Sequence, residues 1–442
     1  MKYSFKDNVK VLSKYNKFLF LNPKEGKWLR IGSKVKEMID NVIEGNEQND
    51  IINDKEKVIL DRFIKAGILE SDKIQQQNSG DCSIDINDIG TMYFTITRKC
   101  NLSCSFCSLS CSPNVDEPLA INIFKMKAII DELSNYKVGA IIITGGEPTL
   151  RDDLFEIIDY IHEKLDCKLI LETNGLLLDS NLIANLKGKL HHIDISFENI
   201  FEENSEWQYE KIIQVVQKLK ENNIPMLFSY VMTSENWSNI FKFMDLVTEY
   251  DPKHIVVRTV APIGKAKGNN NLMFKDKEIL KIYKGIYKYI YEKGYNATCI
   301  QEFATTSLIP RYNCSAKENT LFVDADGNAY SCPSLFYSEF CYGNIVRDGV
   351  NKIIENKSKK VKSNFYKECF HIDERPICKD CEVKYFCGGS CFAEIYANKD
   401  KIGTIPIDCE FRKILIEYNL WQYDSKLSFL ENLENVIEKL TI

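Results

Sequence analysis

The sequence predicts an α/β fold: a partial (β/α)6 TIM-like barrel set between a small N-terminal winged-helix-like module and a cysteine-rich C-terminal domain. Three observations predict it. Strand and helix patterns alternate from Met92 to about Ile300, the first 75 residues run strands before helices, and cysteines crowd the chain beyond Arg311. Such alternation implies parallel strands joined by crossover helices. Six units fall two short of a closed eight-unit barrel, so the barrel is open, with its site at the C-terminal ends of the strands.

The bulk numbers narrow the function classes. The 442 residues suffice for several domains, each with its own core. Apolar and charged fractions of 44% and 27% are those of a soluble globular protein. The net charge of −6 gives no ground for a nucleic-acid partner. No apolar run approaches the roughly eighteen residues of a membrane span. Met1 to Lys17 lacks a continuous apolar signal region, so the expected compartment is the cytoplasm. Sixteen cysteines stand against five histidines. In a large chain without a secretion signal, clustered cysteines read as metal ligands rather than disulfides, and thiolates suit both zinc and iron–sulfur.

In chain order, residues 1–75 form the first module. Val9–Leu12, Phe18–Leu21 and Trp28–Ile31 are short strand-like runs, with Asn22–Gly26 as a turn. Ser33 can cap a helix through Val35, Met38, Ile39, Val42 and Ile43 that Gly45 ends, and a second helix spans about Lys55 to Ala66. Residues 1–36 carry ten Lys/Arg against two Asp/Glu, which favours an acidic partner, although a solvated basic surface reads the same way. Residues 76–91 are a polar linker holding Cys82, an incidental thiol. The barrel occupies 92–310, with candidate strands Tyr93–Thr97, Ala140–Thr144, Lys168–Glu172, His192–Phe197, Met226–Met232 and His254–Thr259. A cysteine-rich domain occupies 311–415 and a C-terminal helix 416–442.

Cys100, Cys104 and Cys107 follow the first strand directly, spaced Cys-x3-Cys-x2-Cys. Three thiolates on one short loop can hold three irons of a [4Fe–4S] cube and leave the fourth open to a ligand. At the end of the second strand stands Thr144-Gly145-Gly146-Glu147-Pro148, whose glycines let backbone approach a ligand closely. Together these motifs resemble the radical S-adenosylmethionine (SAM) superfamily across the whole Met92–Ile300 stretch. The resemblance implies that SAM chelates the open iron, that Phe106 is the aromatic preceding the last cysteine, and that Gly145, Gly146, Glu147 and Pro148 receive the SAM amino group. It also implies cofactor contacts from Asn174, Ser196, Glu198 and Arg258 at successive strand ends. Many relatives have Asp where Glu198 stands. Cys111 lies outside the signature and reads as a buried thiol.

The C-terminal cysteines run Cys314-x12-Gly327-x4-Cys332, then Cys378-x2-Cys381-x5-Cys387-x3-Cys391, then Cys409. Asp324–Asn328 is a hairpin turn signal that brings Cys314 towards Cys332. A zinc ribbon is the structural alternative. The pattern resembles the SPASM extension of radical SAM enzymes that modify peptides and proteins. That resemblance implies two auxiliary [4Fe–4S] clusters, three in all. Cys378, Cys381, Cys387 and Cys409 would hold one; Cys391 would cross over to join Cys314 and Cys332 on the other. For that last set, Cys341 or Cys369 supplies a fourth thiolate, or an iron stays open for a substrate cysteine.

The order of module, barrel and extension resembles maturases of ribosomally synthesised and post-translationally modified peptides (RiPPs). It implies a precursor peptide whose leader adds as a strand to the first module. It further implies an electron donor such as flavodoxin or ferredoxin, and reductive SAM cleavage to a 5′-deoxyadenosyl radical. The expected product is an oxidative crosslink, a cysteine thioether before a carbon–carbon bond. A formylglycine-generating enzyme like the anaerobic sulfatase maturases is the competing reading, and a cluster-binding scaffold without chemistry is the third.

Overall fold

The computed structural model describes residues 2–44, 53–72, 88–118, 120–202, 204–275, 277–306, 308–397 and 406–440. Gly45, Cys82 and most of the linker lie outside the described residues. The first module holds β1 (Tyr3–Phe5), β2 (Lys10–Lys14), β3 (Lys17–Asn22) and β4 (Lys27–Gly32), helices Ser33–Glu44 and Asp54–Lys65, and β5 (Leu69–Ser71). Strands β2, β3 and β4 form an antiparallel sheet, while β1 pairs with β5 across the module. Tyr15 and Asn16 both sit in the left-handed region, as the tight two-residue turn between β2 and β3 requires. The Asn22 side chain accepts from the Lys24 and Glu25 amides and donates to the Gly67 carbonyl at 2.7 Å, fixing the next turn. Ser33 is the first residue of its helix, and its hydroxyl donates to the Asn16 carbonyl. Asn53 and Glu56 form a capping box ahead of the second helix.

The run Phe18–Leu21 is apolar without alternation because β3 is buried on both faces. Phe20 packs edge-on against Phe63, 5.3 Å between ring centres, in the module's own core. Leu19 and Leu21 point the other way, into a core with Phe386, Ile416, Leu420 and Trp421 from the C-terminal domain. Trp28 reinforces that contact by an edge-to-face pair with Phe386 and a 2.8 Å hydrogen bond to the Leu308 carbonyl. Lys17 and Arg30 donate to the carbonyls of Trp421 and Leu420.

The barrel contributes six parallel strands in sequential order: β6 (Ile89–Thr97), β7 (Val138–Gly145), β8 (Lys168–Thr173), β9 (His192–Ser196), β10 (Met226–Met232) and β11 (His254–Thr259). Their outward residues, Met92, Phe94, Ile141, Ile143, Leu171, Ile195 and Phe228 among them, are buried under the crossover helices. Each such side chain contributes about 1.5–3 kcal/mol. Strands covered on both sides are usually apolar throughout. Here the inward positions carry Tyr93, Thr95, Glu172, Asp194, Ser229 and Arg258, a polar lumen that serves a ligand better than a core.

The open edge is partly filled from the C-terminal domain. β12 (Thr320–Val323) joins β6 in parallel, and β13 (Asn328–Tyr330) and β14 (Cys341–Asn344) continue outward as antiparallel strands. The nine-stranded sheet therefore runs from β11 through β6 to β14. Among the described residues no helix is long and apolar enough to cross a membrane.

Candidate active site and cysteine clusters

The ends of the barrel strands position the loop of Cys100, Cys104 and Cys107. The Gly146 amide donates to the Thr97 carbonyl at 2.8 Å and the Glu147 amide to the Lys99 carbonyl at 2.9 Å. A β-carbon on Gly145 would stand 2.3 Å from the Thr97 carbonyl oxygen, and one on Gly146 2.1 Å from that of Lys99. The paired glycines are thus the only residue type that lets the second strand end dock on the first. Glu147 is fully buried and accepts from the Thr149 amide and hydroxyl, the Thr173 hydroxyl at 2.7 Å and the Asn174 amide at 2.8 Å. Burial raises its pKa against the pull of these donors. Its carboxylate braces the ends of β7 and β8 in this structure rather than projecting free into the mouth.

Asn174 reaches the first cysteine, its amide donating to Asn101 at 2.7 Å with the Cys100 sulfur 4.0 Å away. Glu198 is buried, accepts from the Val231 amide at 2.7 Å, and is pushed up to about 7 by burial. Ser196 ends β9 beside Ser229. Phe106 packs on the small apolar group of Val260, Ala266 and Leu272 beyond β11. Arg258 stands apart from this set: its electrostatic neighbours are Tyr93, Glu172, Asp194 and Glu394 in the lumen.

Sequence reasoning missed four residues that hold the loop. The Asn199 amide lies 3.5 Å from the Cys104 sulfur. The Cys111 thiol holds Cys107 below the usual thiol range, helped by the Cys111 amide donating to the Cys107 sulfur at 3.3 Å, while burial raises Cys104 to about 11. Gly264 has φ +59°, and a β-carbon there would stand 2.3 Å from the Cys107 carbonyl oxygen. The Lys265 amide donates to that same carbonyl, and its ammonium bonds Ser103. Only the Asn after Glu198 and the lone Gly264 carried any signal, and neither belongs to a spaced motif.

Seven of the C-terminal cysteines separate into two sets. Cys409 has Cys378, Cys381 and Cys387 as electrostatic neighbours, and Cys332 has Cys391 and Cys314. Cys341, on β14, contacts the Gly343 carbonyl and neighbours Arg347 and Lys360 instead. Cys369 neighbours Tyr366, Tyr396 and Arg375. Arg375 lies between the two sets, 7% exposed, with Cys378, Cys314, Cys391 and Cys387 around it. Its Nη1 donates to the Gly389 carbonyl, yet its Nε and Nη2 are buried without a partner. A buried guanidinium left in this state is costly unless anionic acceptors face it. Thiolate-ligated clusters on either side would supply them, so the residues present fit iron–sulfur groups. Among the described residues no three Cys, His, Asp or Glu are gathered tightly enough for a single metal ion; a cube, with one thiolate per iron, spreads its ligands more widely.

Residues 94–247 match the family model of the radical SAM superfamily, and residues 314–382 that of the SPASM iron–sulfur cluster-binding domain. The chain carries a radical SAM domain followed by a SPASM domain. Its SPASM domain begins at Cys314, the first cysteine of the C-terminal pattern. The chain is similar to Fe-coproporphyrin III synthase of Methanosarcina barkeri, 27% identical over 35% of this chain and 40% of that protein, less than half of the relative's length. It is 24% identical to the mycofactocin maturase MftC of Mycolicibacterium smegmatis, over 67% of this chain and 76% of that one. It is 23% identical to a cysteine-type anaerobic sulfatase-maturating enzyme of Clostridium perfringens, over 72% and 93%. In fold, the radical SAM chain resembles Streptococcus suis SuiB bound to its precursor peptide SuiA, with a TM-score of 0.54 at 14% identity, over 92% of this chain and all of that one.

Proposed function

We propose that this radical SAM enzyme is a RiPP maturase that installs an oxidative crosslink in a ribosomally made precursor peptide. The observation that carries the reading is one continuous arrangement. The three-cysteine loop is clamped on the barrel mouth, and a separate basic module is docked against the SPASM domain through Leu19, Leu21 and Trp28. Enzymes that act on small molecules need no such module. Maturases and a precursor-peptide complex among the relatives favour the same reading.

In this proposal Cys100, Cys104 and Cys107 hold the catalytic [4Fe–4S] cluster. Cys378, Cys381, Cys387 and Cys409 hold one auxiliary cluster, and Cys314, Cys332 and Cys391 the other. When bound, the catalytic cluster and SAM supply a one-electron cleavage that yields a hydrogen-abstracting 5′-deoxyadenosyl radical. The chain's own residues orient and exclude. The backbone of Gly145–Pro148, with Asn174, Ser196, Glu198 and Phe106, lines the SAM position, and Arg258 lies deeper in the lumen. Asn199, Cys111 and Gly264 fix the cysteine loop. A flavodoxin or ferredoxin donates the electron. In the first module β2 and β4 each pair only with β3 among the described residues, so each keeps a free edge for the leader. Cys341 neighbours Arg347 and Lys360 and Cys369 neighbours Arg375, so either Cys369 supplies the fourth thiolate at Cys314/Cys332/Cys391 or an iron there stays open for a substrate cysteine, the arrangement that favours a thioether.

The test is anaerobic co-expression with a short cysteine-containing peptide encoded beside the gene, followed by high-resolution mass spectrometry. Loss of one hydrogen pair per crosslink with cysteines that no longer alkylate supports a thioether maturase. The same loss with free thiols points to a carbon–carbon crosslink. An unchanged peptide, with SAM still cleaved, favours the formylglycine-generating alternative that the sulfatase-maturating relative suggests.

A further inference from the structure

A six-strand barrel leaves a seam where two more strands would close it, and a cavity of about 290 Å³ lies there. Its walls come from the end of β6, the residues after Cys107, the segment after β11 and the SPASM hairpin. None of the residues assigned to SAM lines it, so a second ligand has its own place beside the catalytic loop. The size is near the lower end of ligand pockets, roughly 300–1,000 Å³. Two buried polar atoms on this cavity's lining have no partner: the hydroxyl of Thr95, which is 1% exposed, and Nε of Arg98. The rest of the Arg98 guanidinium is engaged, donating to both oxygens of Asp326 at 2.9 and 2.8 Å. Buried polar atoms of this kind imply an incoming partner. A guanidinium N–H and a hydroxyl on the lining of one cavity suit a carbonyl, which every peptide unit carries.

The opposite wall is aromatic. Phe322 is fully buried and meets Phe336 edge-on at 5.0 Å, and Tyr330 meets Phe336 at 5.4 Å and Phe322 at 6.3 Å. Phe336 itself is 36% exposed. Phe336 and Tyr337 also line a second, wider cavity of about 770 Å³ that opens towards Lys359 and Lys360, so a chain anchored in the first can leave through it.

We infer that the seam cavity is the anchor subsite for one residue of the substrate peptide, with its backbone carbonyl on Thr95 and Arg98 and its apolar or aromatic side chain against Phe336, which Phe322 backs. The inference rests on the peptide-modifying reading and names the side-chain class that this site takes. Saturation-transfer NMR on the anaerobically reconstituted, SAM-loaded full chain tests it, with N-acetylphenylalaninamide, N-acetylglycinamide and N-acetylglutamate amide as probes. The phenylalanine probe binds and the other two do not. Phe336→Ala weakens it about tenfold, the scale of a truncated aromatic anchor. Thr95→Val weakens it about fivefold, the scale of one lost hydrogen bond. Iron content and circular dichroism establish that both variants are folded. Equal binding of all three probes, or unchanged affinity in both folded variants, overturns the subsite. Probe binding involves no SAM cleavage; a protein that binds the phenylalanine probe yet never cleaves SAM contradicts the proposed function and leaves the subsite standing.

Discussion

The loop from Cys100 to Cys107 is held by the ends of barrel strands, through Gly145–Glu147, Asn174, Asn199 and Gly264. Cys378, Cys381 and Cys387 instead border an apolar core built mostly from the C-terminal domain and completed by Leu12, Leu19, Leu21 and Trp28 of the N-terminal module, remote in sequence. The first arrangement is a property of one domain, and its support is mostly backbone and glycine geometry. The second depends on long-range docking of Leu19, Leu21 and Trp28. The difference implies that the catalytic loop tolerates loss of the N-terminal module, whereas the outer auxiliary site does not.

Deleting residues 1–72 breaks the comparison most directly. Three large apolar side chains leave their partners, each worth about 2 kcal/mol. Iron bound at Cys378/Cys381/Cys387/Cys409 becomes labile to chelators and oxygen, and peptide affinity is lost, while reductive SAM cleavage without peptide persists. Iron analysis and 5′-deoxyadenosine quantification on the same sample read both halves. Retention of all auxiliary iron contradicts the docking argument.

Gly264→Ala probes the other side. The substitution adds left-handed strain of about 1–3 kcal/mol and drives a methyl group into the Cys107 carbonyl. It lowers SAM cleavage about tenfold with auxiliary iron intact. Arg375→Gln acts only on the outer region. Removing a buried positive charge between the two cysteine sets makes the auxiliary potentials more negative by roughly 50 mV, readable by redox titration with EPR detection.

The smallest effect belongs to neither site. Burial, with the neighbouring charges of His191 and Lys253, lowers His192 to about 4, below its usual 6.5. Between these values the unfolded chain binds the extra proton, so stability falls as pH drops from 6.5 towards 4. Discounted for partial exposure, the loss is about 1 kcal/mol. His192→Gln flattens the denaturation midpoint across that range.

The six barrel strands were legible because their outward faces repeat branched apolar residues and their ends carry spaced motifs. β3 was legible as a strand, and its unbroken apolar run already held the two-faced burial that the fold explains. The pairing of β1 with β5 and of β12 with β6 was not legible, since each joins segments remote in sequence and two of the four strands are only three residues long. The candidate cysteines of the site stand out through their spacing. The groups that support them, Asn199, Cys111, Gly264, Lys265 and Arg375, do not, because each acts through a tertiary contact that leaves no periodic trace.

The measurement that tests the central claim most directly is 5′-deoxyadenosine formation by the anaerobically reconstituted chain with dithionite and SAM, beside Cys104→Ala. The account predicts turnover in the parent protein, none in the variant, and a loss of about one cluster's iron. Reductive cleavage that survives in Cys104→Ala, or no cleavage by an iron-replete parent, would contradict it.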